Sequence, residues 1–77
     1  MEAIKINKLR LIMLAKGLTQ KQLGEMADIS AGTVNAVIRR IENGDIGDRC
    51  TKKNIKLIAL ALELKPAQII GDVVIVL

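Results

Sequence analysis

The feature that most constrains the fold of this chain is a pair of short helical patterns between residues 19 and 39, separated by only three residues. Apolar residues recur at three- and four-residue spacing in both patterns, which predicts one buried face on each helix. These residues are Leu23, Met26 and Ala27 in the first pattern, and Val34, Val37, Ile38 and Ile41 in the second. Thr19 and Ser30 stand directly before the two patterns, where a hydroxyl accepts from the unpaired amides of a first helical turn. Two capped helices joined by a tight turn are therefore predicted.

Composition narrows what such a helix pair can do. The chain has 77 residues and one proline, so we expect a single small domain over residues 1–77. The net charge of +4 favours an anionic partner. The absence of Phe, Tyr and Trp removes the stacking platforms of most single-strand and RNA binders. Duplex DNA remains as the expected partner, and residues 19–39 predict the helix-turn-helix motif of DNA-binding proteins.

Other classes of protein are not expected from this composition. One cysteine and no histidine provide neither a nucleophile–base pair nor a metal cluster, so we expect no enzyme, no cofactor, no metal and no small-molecule substrate. The acidic residues between 45 and 48 do not have the spacing of a calcium loop. No secretory signal and no apolar run near the ~20 residues of a membrane span is present. Cys50 is expected to be a reduced thiol, which fits a cytoplasmic localisation.

Further elements are predicted along the rest of the chain. Helices are expected over residues 7–16, 20–27, 31–42 and 52–62, followed by a short helix that opens at Pro66. Gly17 is expected to end the first helix in a left-handed conformation, and Thr51 to cap the fourth. Residues 1–6 fit a strand and an extension of the first helix equally well, whereas the β-branched run at 73–77 predicts a strand.

The chain resembles the phage-repressor helix-turn-helix family that includes Cro and the lambda repressor, often called the XRE family. The resemblance rests on KGLTQKQLGEMADIS, IENG and NIKLIALALELKPAQII, and it covers residues 8–70. It implies an all-α, compact five-helix, lambda-repressor-like DNA-binding domain, which here carries a short C-terminal β-strand. It also implies that Gly24 is the small residue at which the two helices cross and that Ile29 anchors the turn.

Three positions depart from the family pattern. Asp28 stands where the turn usually has glycine, and Asp tolerates the left-handed conformation better than most residues. The IENG motif lies about one helical turn later than the family spacing, so either the third helix is longer or an extra turn bulges out after it. Glu63 stands where the family often has a glycine that ends a helix.

The exposed side of the third helix is the predicted DNA-contacting surface, because the motif places the first half of its second helix in the major groove. Asn35 suits adenine, and Arg39 suits guanine or a phosphate. The predicted base contacts are Ala31, Gly32, Thr33, Asn35 and Arg39. The predicted phosphate contacts are Gln20, Lys21, Arg40, Asn43, Thr51 and Lys52; the resemblance independently implies Gln20. Glu42 is expected to point away from the duplex.

The apolar residues near the C-terminus predict an interface with a second copy of the chain. Leu57 and Leu60 lie on a side of the fourth helix that relatives usually leave polar, and an uncovered hydrophobic strand invites pairing. The predicted dimer interface consists of Leu57, Leu60, Val73, Val74, Ile75, Val76 and Leu77, with residues 73–77 paired with the same strand of a second subunit. The alternative is that they pair with residues 3–6 of their own chain.

These features together predict a sequence-specific, double-stranded DNA-binding transcriptional regulator. The expected form is a Cro-like repressor that acts as a homodimer on a palindromic operator. Two alternatives remain open at this point. One is an antitoxin-like autorepressor that binds a toxin partner, and the other is a protein-interaction module on the same fold without DNA binding.

Overall fold

The fold is a five-helix bundle with a two-stranded antiparallel sheet, seen in a computed structural model that describes residues 2–76. All five predicted helices and the predicted C-terminal strand are present, and the all-α fold class is confirmed. The elements in chain order are β1 (Ala3–Asn7), α1 (Lys8–Lys16), α2 (Gln20–Ala27), α3 (Ala31–Asn43), α4 (Arg49–Ala61), α5 (Pro66–Ile69) and β2 (Asp72–Val76).

Local capping sets the ends of α1, α2 and α3 as predicted. Thr19 accepts from the amide of Gln22, and the Gln22 side chain accepts from the amide of Thr19, which together form a capping box. Ser30 accepts from the amide of Thr33 at the start of α3. Gly17 has φ of 65° and closes α1 in the left-handed conformation. These caps satisfy backbone groups that a helix end would otherwise leave unpaired.

The predicted start of the fourth helix is wrong by three residues. Asp48, not Thr51, is the N-cap: its carboxylate accepts from the amide of Thr51, and α4 begins at Arg49. Thr51 instead lies in the first turn and is buried. Aspartate and threonine are both good caps, and the earlier one prevails here because Thr51 packs into the interior.

The helices meet around an aliphatic core. The predicted inner faces of α3 and α4 are buried, whereas Met26, predicted to be buried on α2, is half exposed. α2 packs against α3 and α4, and of the apolar residues predicted to be buried on it only Leu23 and Ala27 are buried. The buried apolar residues are Leu9, Met13, Leu23, Ala27, Val34, Val37, Ile38, Ile41, Ile55, Ile58, Ala59, Leu62 and Ile69.

The turn between α2 and α3 depends on two residues. Asp28 has φ of 59° and closes α2 in the left-handed conformation, as predicted for a turn that lacks the usual glycine. A Cβ atom on Gly24 would lie 2.5 Å from the carbonyl oxygen of Ile29, which is backbone and cannot move aside cheaply. Gly24 is therefore the close-contact position that the resemblance implies, and it fixes how α3 leaves α2.

The late position of the IENG motif is explained by a longer third helix and not by an extra turn that bulges out after it. α3 continues to Asn43 and is closed by Gly44, whose φ is 71°. Arg39 and Arg40 consequently lie within regular helix. Glu63 also adopts a positive φ, of 58°, so the position where relatives often have glycine keeps that conformation here.

The two terminal strands pair with each other. β1 and β2 are antiparallel, with Ile4 opposite Ile75 and Lys5 opposite Val74. One edge of β2 is therefore occupied by β1 of the same chain. This is the predicted alternative, pairing with residues 3–6, and at this edge it replaces the predicted pairing with a second subunit. The packing of α1 against α5 explains the result, because it brings the segments flanking both helices together, and the Lys8 amide donates to the Gly71 carbonyl at 2.9 Å. Leu77 lies outside the described residues.

Asn7 connects the sheet to the middle of α3. Its side-chain oxygen accepts from the amides of Leu9 and Arg10 and so caps α1, while its side-chain nitrogen donates to the carbonyl of Ile38 at 3.4 Å. Asn7 is almost fully buried, so these partners satisfy a polar group that would otherwise be costly inside the protein. The sheet is thereby attached to the helix that carries the predicted DNA contacts.

Candidate nucleic-acid interface

Four of the predicted base contacts, Ala31, Gly32, Asn35 and Arg39, share one side of α3, and Thr33 lies beside that side. Gly32 and Arg39 are exposed, and Ala31, Thr33 and Asn35 are partly buried. The opposite side of the helix is the buried one that packs into the core. α2 and α4 both contact α3 and hold it in place. The structure thus presents a rigid helix side with small residues in its first turns.

Gln20 and Asn35 meet across the junction of α2 and α3. The Gln20 side-chain nitrogen donates to the Asn35 side-chain oxygen at 3.3 Å. Gln20 is the first residue of α2, where backbone amides lack helical partners, and the exposed Lys21 follows it. A helix start of this kind favours an anion such as phosphate. One predicted phosphate contact and one predicted base contact are therefore joined directly.

Thr33 is partly committed to the cap of α3. Its hydroxyl lies 2.8 Å from the Ser30 hydroxyl, and its amide donates to the same Ser30 oxygen. With the hydroxyl engaged, the methyl group is the part of Thr33 left for contact with a base, and the thymine methyl is its chemical match.

A cleft of about 310 Å³ separates α3 from the first turn of α4. Arg40 lines it together with Ala36 and Gly32, which lie one and two turns earlier on the same side of α3. We call it the α3–α4 cleft, and its other lining residues are Ser30, Thr33, Val37, Asp48, Cys50, Thr51 and Asn54.

Two of these lining residues on α4, Cys50 and Asn54, were not predicted to belong to the site, and a fourth helix beginning at residue 52 would also have placed Cys50 in a loop. The signal that could have found them is Asp48, which is as good a cap as Thr51.

Two ion pairs flank the last turns of α3. Arg40 Nη1 lies 3.2 Å from Asp45 Oδ2, and Arg10 Nε lies 2.6 Å from Glu42 Oε1. The second pair turns Glu42 towards α1. Arg39 remains exposed. The two neighbouring arginines therefore differ: Arg40 has an acidic partner within the loop that follows α3, whereas Arg39 projects from the exposed side of the helix.

The family comparison agrees with this geometry. The helix-turn-helix family model HTH_3 matches residues 9–69, which span α1 to α5. The chain belongs to this family. HTH_3 domains of the XRE type are DNA-binding transcription regulators, and the resemblance to the Cro and lambda-repressor family is confirmed. Comparisons with curated proteins and with solved structures gave no significant match. No helix within residues 2–76 has the length and apolar character that a membrane span needs.

Three of the predicted phosphate contacts in this HTH_3 domain are either buried or lie outside the α3–α4 cleft. Thr51 is only 3% exposed, and its hydroxyl is directed at Asp48 Oδ2 at 3.4 Å, so little of it is accessible to a phosphate. Lys52 lines a separate apolar pocket of about 270 Å³ beside Ile55 and Ile70. Asn43 is exposed at the end of α3. The first turn of α4 instead exposes Arg49 close to the cleft.

Proposed function

We propose that this chain represses transcription by occupying a two-fold symmetric operator as a Cro-like homodimer. The observation that carries the proposal is the side of α3 on which the exposed Gly32 and the partly buried Ala31 adjoin the Gln20–Asn35 hydrogen bond. Small side chains let a helix approach the bases closely, and the polar amide beside them offers a donor and an acceptor to a base edge.

Base recognition in this proposal is divided between shape and hydrogen bonding. Ala31, Gly32 and Thr33 shape the fit to the major groove. Asn35 recognises adenine, and Arg39 recognises guanine or a phosphate; each good bidentate contact discriminates by roughly 1–3 kcal/mol. Few side chains on this surface can identify a base, so two copies on a symmetric site are needed for high specificity.

The phosphate contacts lie on both sides of α3. Gln20 and Lys21 at the start of α2 contact one strand, since a helix N-terminus favours phosphate. Arg40 contacts the other strand from the α3–α4 cleft, and Arg49 adds a positive charge at its edge. Asn43 and Lys52 flank this second contact at greater distance, and Thr51 is left out because it is buried.

The dimer in this proposal uses the second edge of β2. Within residues 2–76 the sheet has two strands, so β2 has a free edge opposite β1. Antiparallel pairing of two such edges would form a four-stranded sheet and cover Val74 and Val76, which are 55% and 62% exposed. Leu60 is 75% exposed and belongs to the same proposed interface. Its other predicted members are Leu57, which is partly buried against the core, Val73 and Ile75, which are also partly buried, and Leu77.

Selection of bound sequences from a random duplex pool, followed by titration of the selected site at several salt concentrations, tests the function. Asn35→Ala and Arg39→Ala should each weaken binding about 5- to 150-fold, whereas Lys65→Ala at the start of α5 should not. Two-fold symmetric selected sites support a dimer. Absence of duplex binding even at low salt would refute the regulator and leave the protein-interaction module.

The exposed apolar residues also favour a second candidate, the antitoxin-like autorepressor. Leu60, Val74 and Val76 could be covered by a different protein instead of a second copy. The mass of the free protein and of its DNA complex separates the two. A monomer that dimerises neither alone nor on DNA, yet forms a stable complex with the product of a neighbouring gene, supports the antitoxin.

A further inference from the structure

Arg40 faces two competing partners. It lines the α3–α4 cleft beside Gly32 and Ala36, where a phosphate contact is proposed, and its guanidinium also lies 3.2 Å from the Asp45 carboxylate. The Arg40 and Asp45 side chains are both solvent-accessible. The same positive group therefore pairs with a carboxylate in the free protein and is needed by DNA in the bound protein.

The backbone at the end of α3 fixes the position of Asp45. Gly44 adopts φ of 71°, and the Asp45 amide then donates to the Arg40 carbonyl at 2.9 Å. This closing turn holds the carboxylate within reach of the Arg40 side chain. The backbone geometry of the helix end therefore favours this ion pair.

Stability of α3 does not account for an acidic residue at this point. The C-terminal end of a helix carries partial negative charge, so a carboxylate just beyond it is unfavourable. Arg40 offsets that repulsion, but an uncharged residue after Gly44 would avoid it altogether. The placement of Asp45 is better explained by what it does to Arg40.

The relative strengths of the two contacts allow an exchange. Solvent-exposed ion pairs contribute little, because water screens them and two side chains lose freedom. Contacts between arginine and phosphate are charge-assisted and often bidentate, which makes them stronger. Asp45 can therefore hold Arg40 in the free protein without preventing its transfer to DNA.

We propose that Asp45 lowers the affinity of the domain for DNA by holding Arg40, which must change its partner from this carboxylate to a phosphate on binding. The inference rests on the proposed DNA-binding function. Phosphate contacts do not depend on sequence, so the exchange weakens binding to every duplex by the same factor. The ratio of specific to non-specific affinity is therefore unchanged, and the carboxylate sets the overall strength of DNA binding, not its selectivity.

A double-mutant cycle on Arg40 and Asp45 tests the inference. Asp45→Asn should raise affinity for a non-specific duplex about two- to fivefold at low salt, the range that a surface ion pair permits. The gain should disappear when Asp45→Asn is combined with Arg40→Ala. The salt dependence of binding should change little, because Arg40 contacts a phosphate in both complexes.

Two other acidic positions provide matched controls. Asp48→Asn removes a carboxylate from the α3–α4 cleft while keeping a good cap, and no ion pair joins Asp48 to Arg40. Its effect should be the same with or without Arg40→Ala. Glu63→Gln removes the same charge at the far end of α4, about 20 Å away by helix length, and should leave affinity unchanged.

The outcomes are distinguishable from failure of the function itself. If wild type binds DNA and Asp45→Asn has an equal effect with and without Arg40, the carboxylate acts only as a nearby charge and the exchange is refuted. If wild type binds no duplex at any salt concentration, the proposed function fails and the inference fails with it.

Discussion

Gln20 Nε2 donates to Asn35 Oδ1 at 3.3 Å, across 15 residues of sequence. The bond joins the first residue of α2 to the middle of α3. It holds the Asn35 amide with its oxygen towards α2, which leaves the amide nitrogen free to donate to a base. A residue proposed to contact phosphate thereby sets the orientation of a residue proposed to contact a base.

Replacement of Gln20 by alanine is expected to change specificity as well as affinity. Without its partner, the Asn35 amide can rotate and should discriminate less among bases at its position. Lys21→Ala removes a nearby phosphate contact only, so it should weaken binding to all sequences equally. Affinities for the selected site and for each single-base variant measure the difference. A uniform loss for Gln20→Ala would mean that Gln20 serves the phosphate alone.

Gly24→Ala is expected to destabilise the domain. The added methyl would lie 2.5 Å from the Ile29 carbonyl oxygen, so α2 and α3 would have to separate. Forced overpacking of this kind costs about 1–3 kcal/mol, and the better helix propensity of alanine recovers only part of it. Urea unfolding should show a lower midpoint with an unchanged slope. An unchanged midpoint would show that the turn adapts.

Gly32→Ala is the matched substitution in the same motif, with the opposite expected sign. The nearest atom to its added methyl is the Ser30 hydroxyl oxygen at 3.9 Å, which is ordinary contact. Stability should therefore rise by about 0.5–1 kcal/mol, since glycine is unfavourable inside a helix. DNA affinity should fall if glycine is kept for close approach to the bases. A more stable variant with unchanged affinity would give Gly32 no role in binding.

The cap of α4 gives a third stability test. Asp48→Ala removes the acceptor for the Thr51 amide and should cost about 1 kcal/mol, whereas Asp48→Asn should cost little. Thermal unfolding of both variants measures the difference. Equal loss for the two would show that the charge of Asp48, not its cap, stabilises the helix.

The sequence was sufficient to predict the order of the helices and three of the caps, because local signals determine them. Thr19, Ser30 and Gly17 act within one turn of their own helix, and no distant residue competes with them. The buried sides of α3 and α4 followed from spacing alone for the same reason.

The errors arose where tertiary packing chose between equivalent local signals. Asp48 and Thr51 were both acceptable caps, and only the burial of Thr51 decides between them. Met26 had the right spacing for burial, but α2 has a narrow buried face. The partner of the C-terminal strand depended on where α1 and α5 bring the chain ends, which spacing does not reveal.

The ion pair of Arg40 with Asp45 also could not be predicted from the sequence, although the two residues are only five positions apart. Its formation requires α3 to extend to Asn43 and Gly44 to turn the chain back, and the helix end was one of two open alternatives. The sequence therefore predicts the start of the candidate site, at Gln20 and Asn35, better than it predicts the end of the site after α3.

The proposed dimer leads to a prediction in which two exposed leucines are compared. Leu60 on α4 and Leu14 on α1 are 75% and 77% exposed, so replacing either with lysine should change the free energy of unfolding of the subunit by less than about 0.5 kcal/mol. Leu60→Lys would place a charge within the proposed interface and should weaken the dimer about tenfold or more. Leu14→Lys lies outside it and should not.

Sedimentation equilibrium at several concentrations measures the dimer dissociation constant of both variants. Point substitutions are preferred to deletion of residues 73–77, because the deletion would also remove the partner of β1. If Leu60→Lys leaves the dissociation constant unchanged, the second copy does not cover α4, and the dimer would depend on the free edge of β2 alone. Val74→Lys then decides, since Val74 is exposed on that strand. A dimer that survives both Leu60→Lys and Val74→Lys would refute this interface.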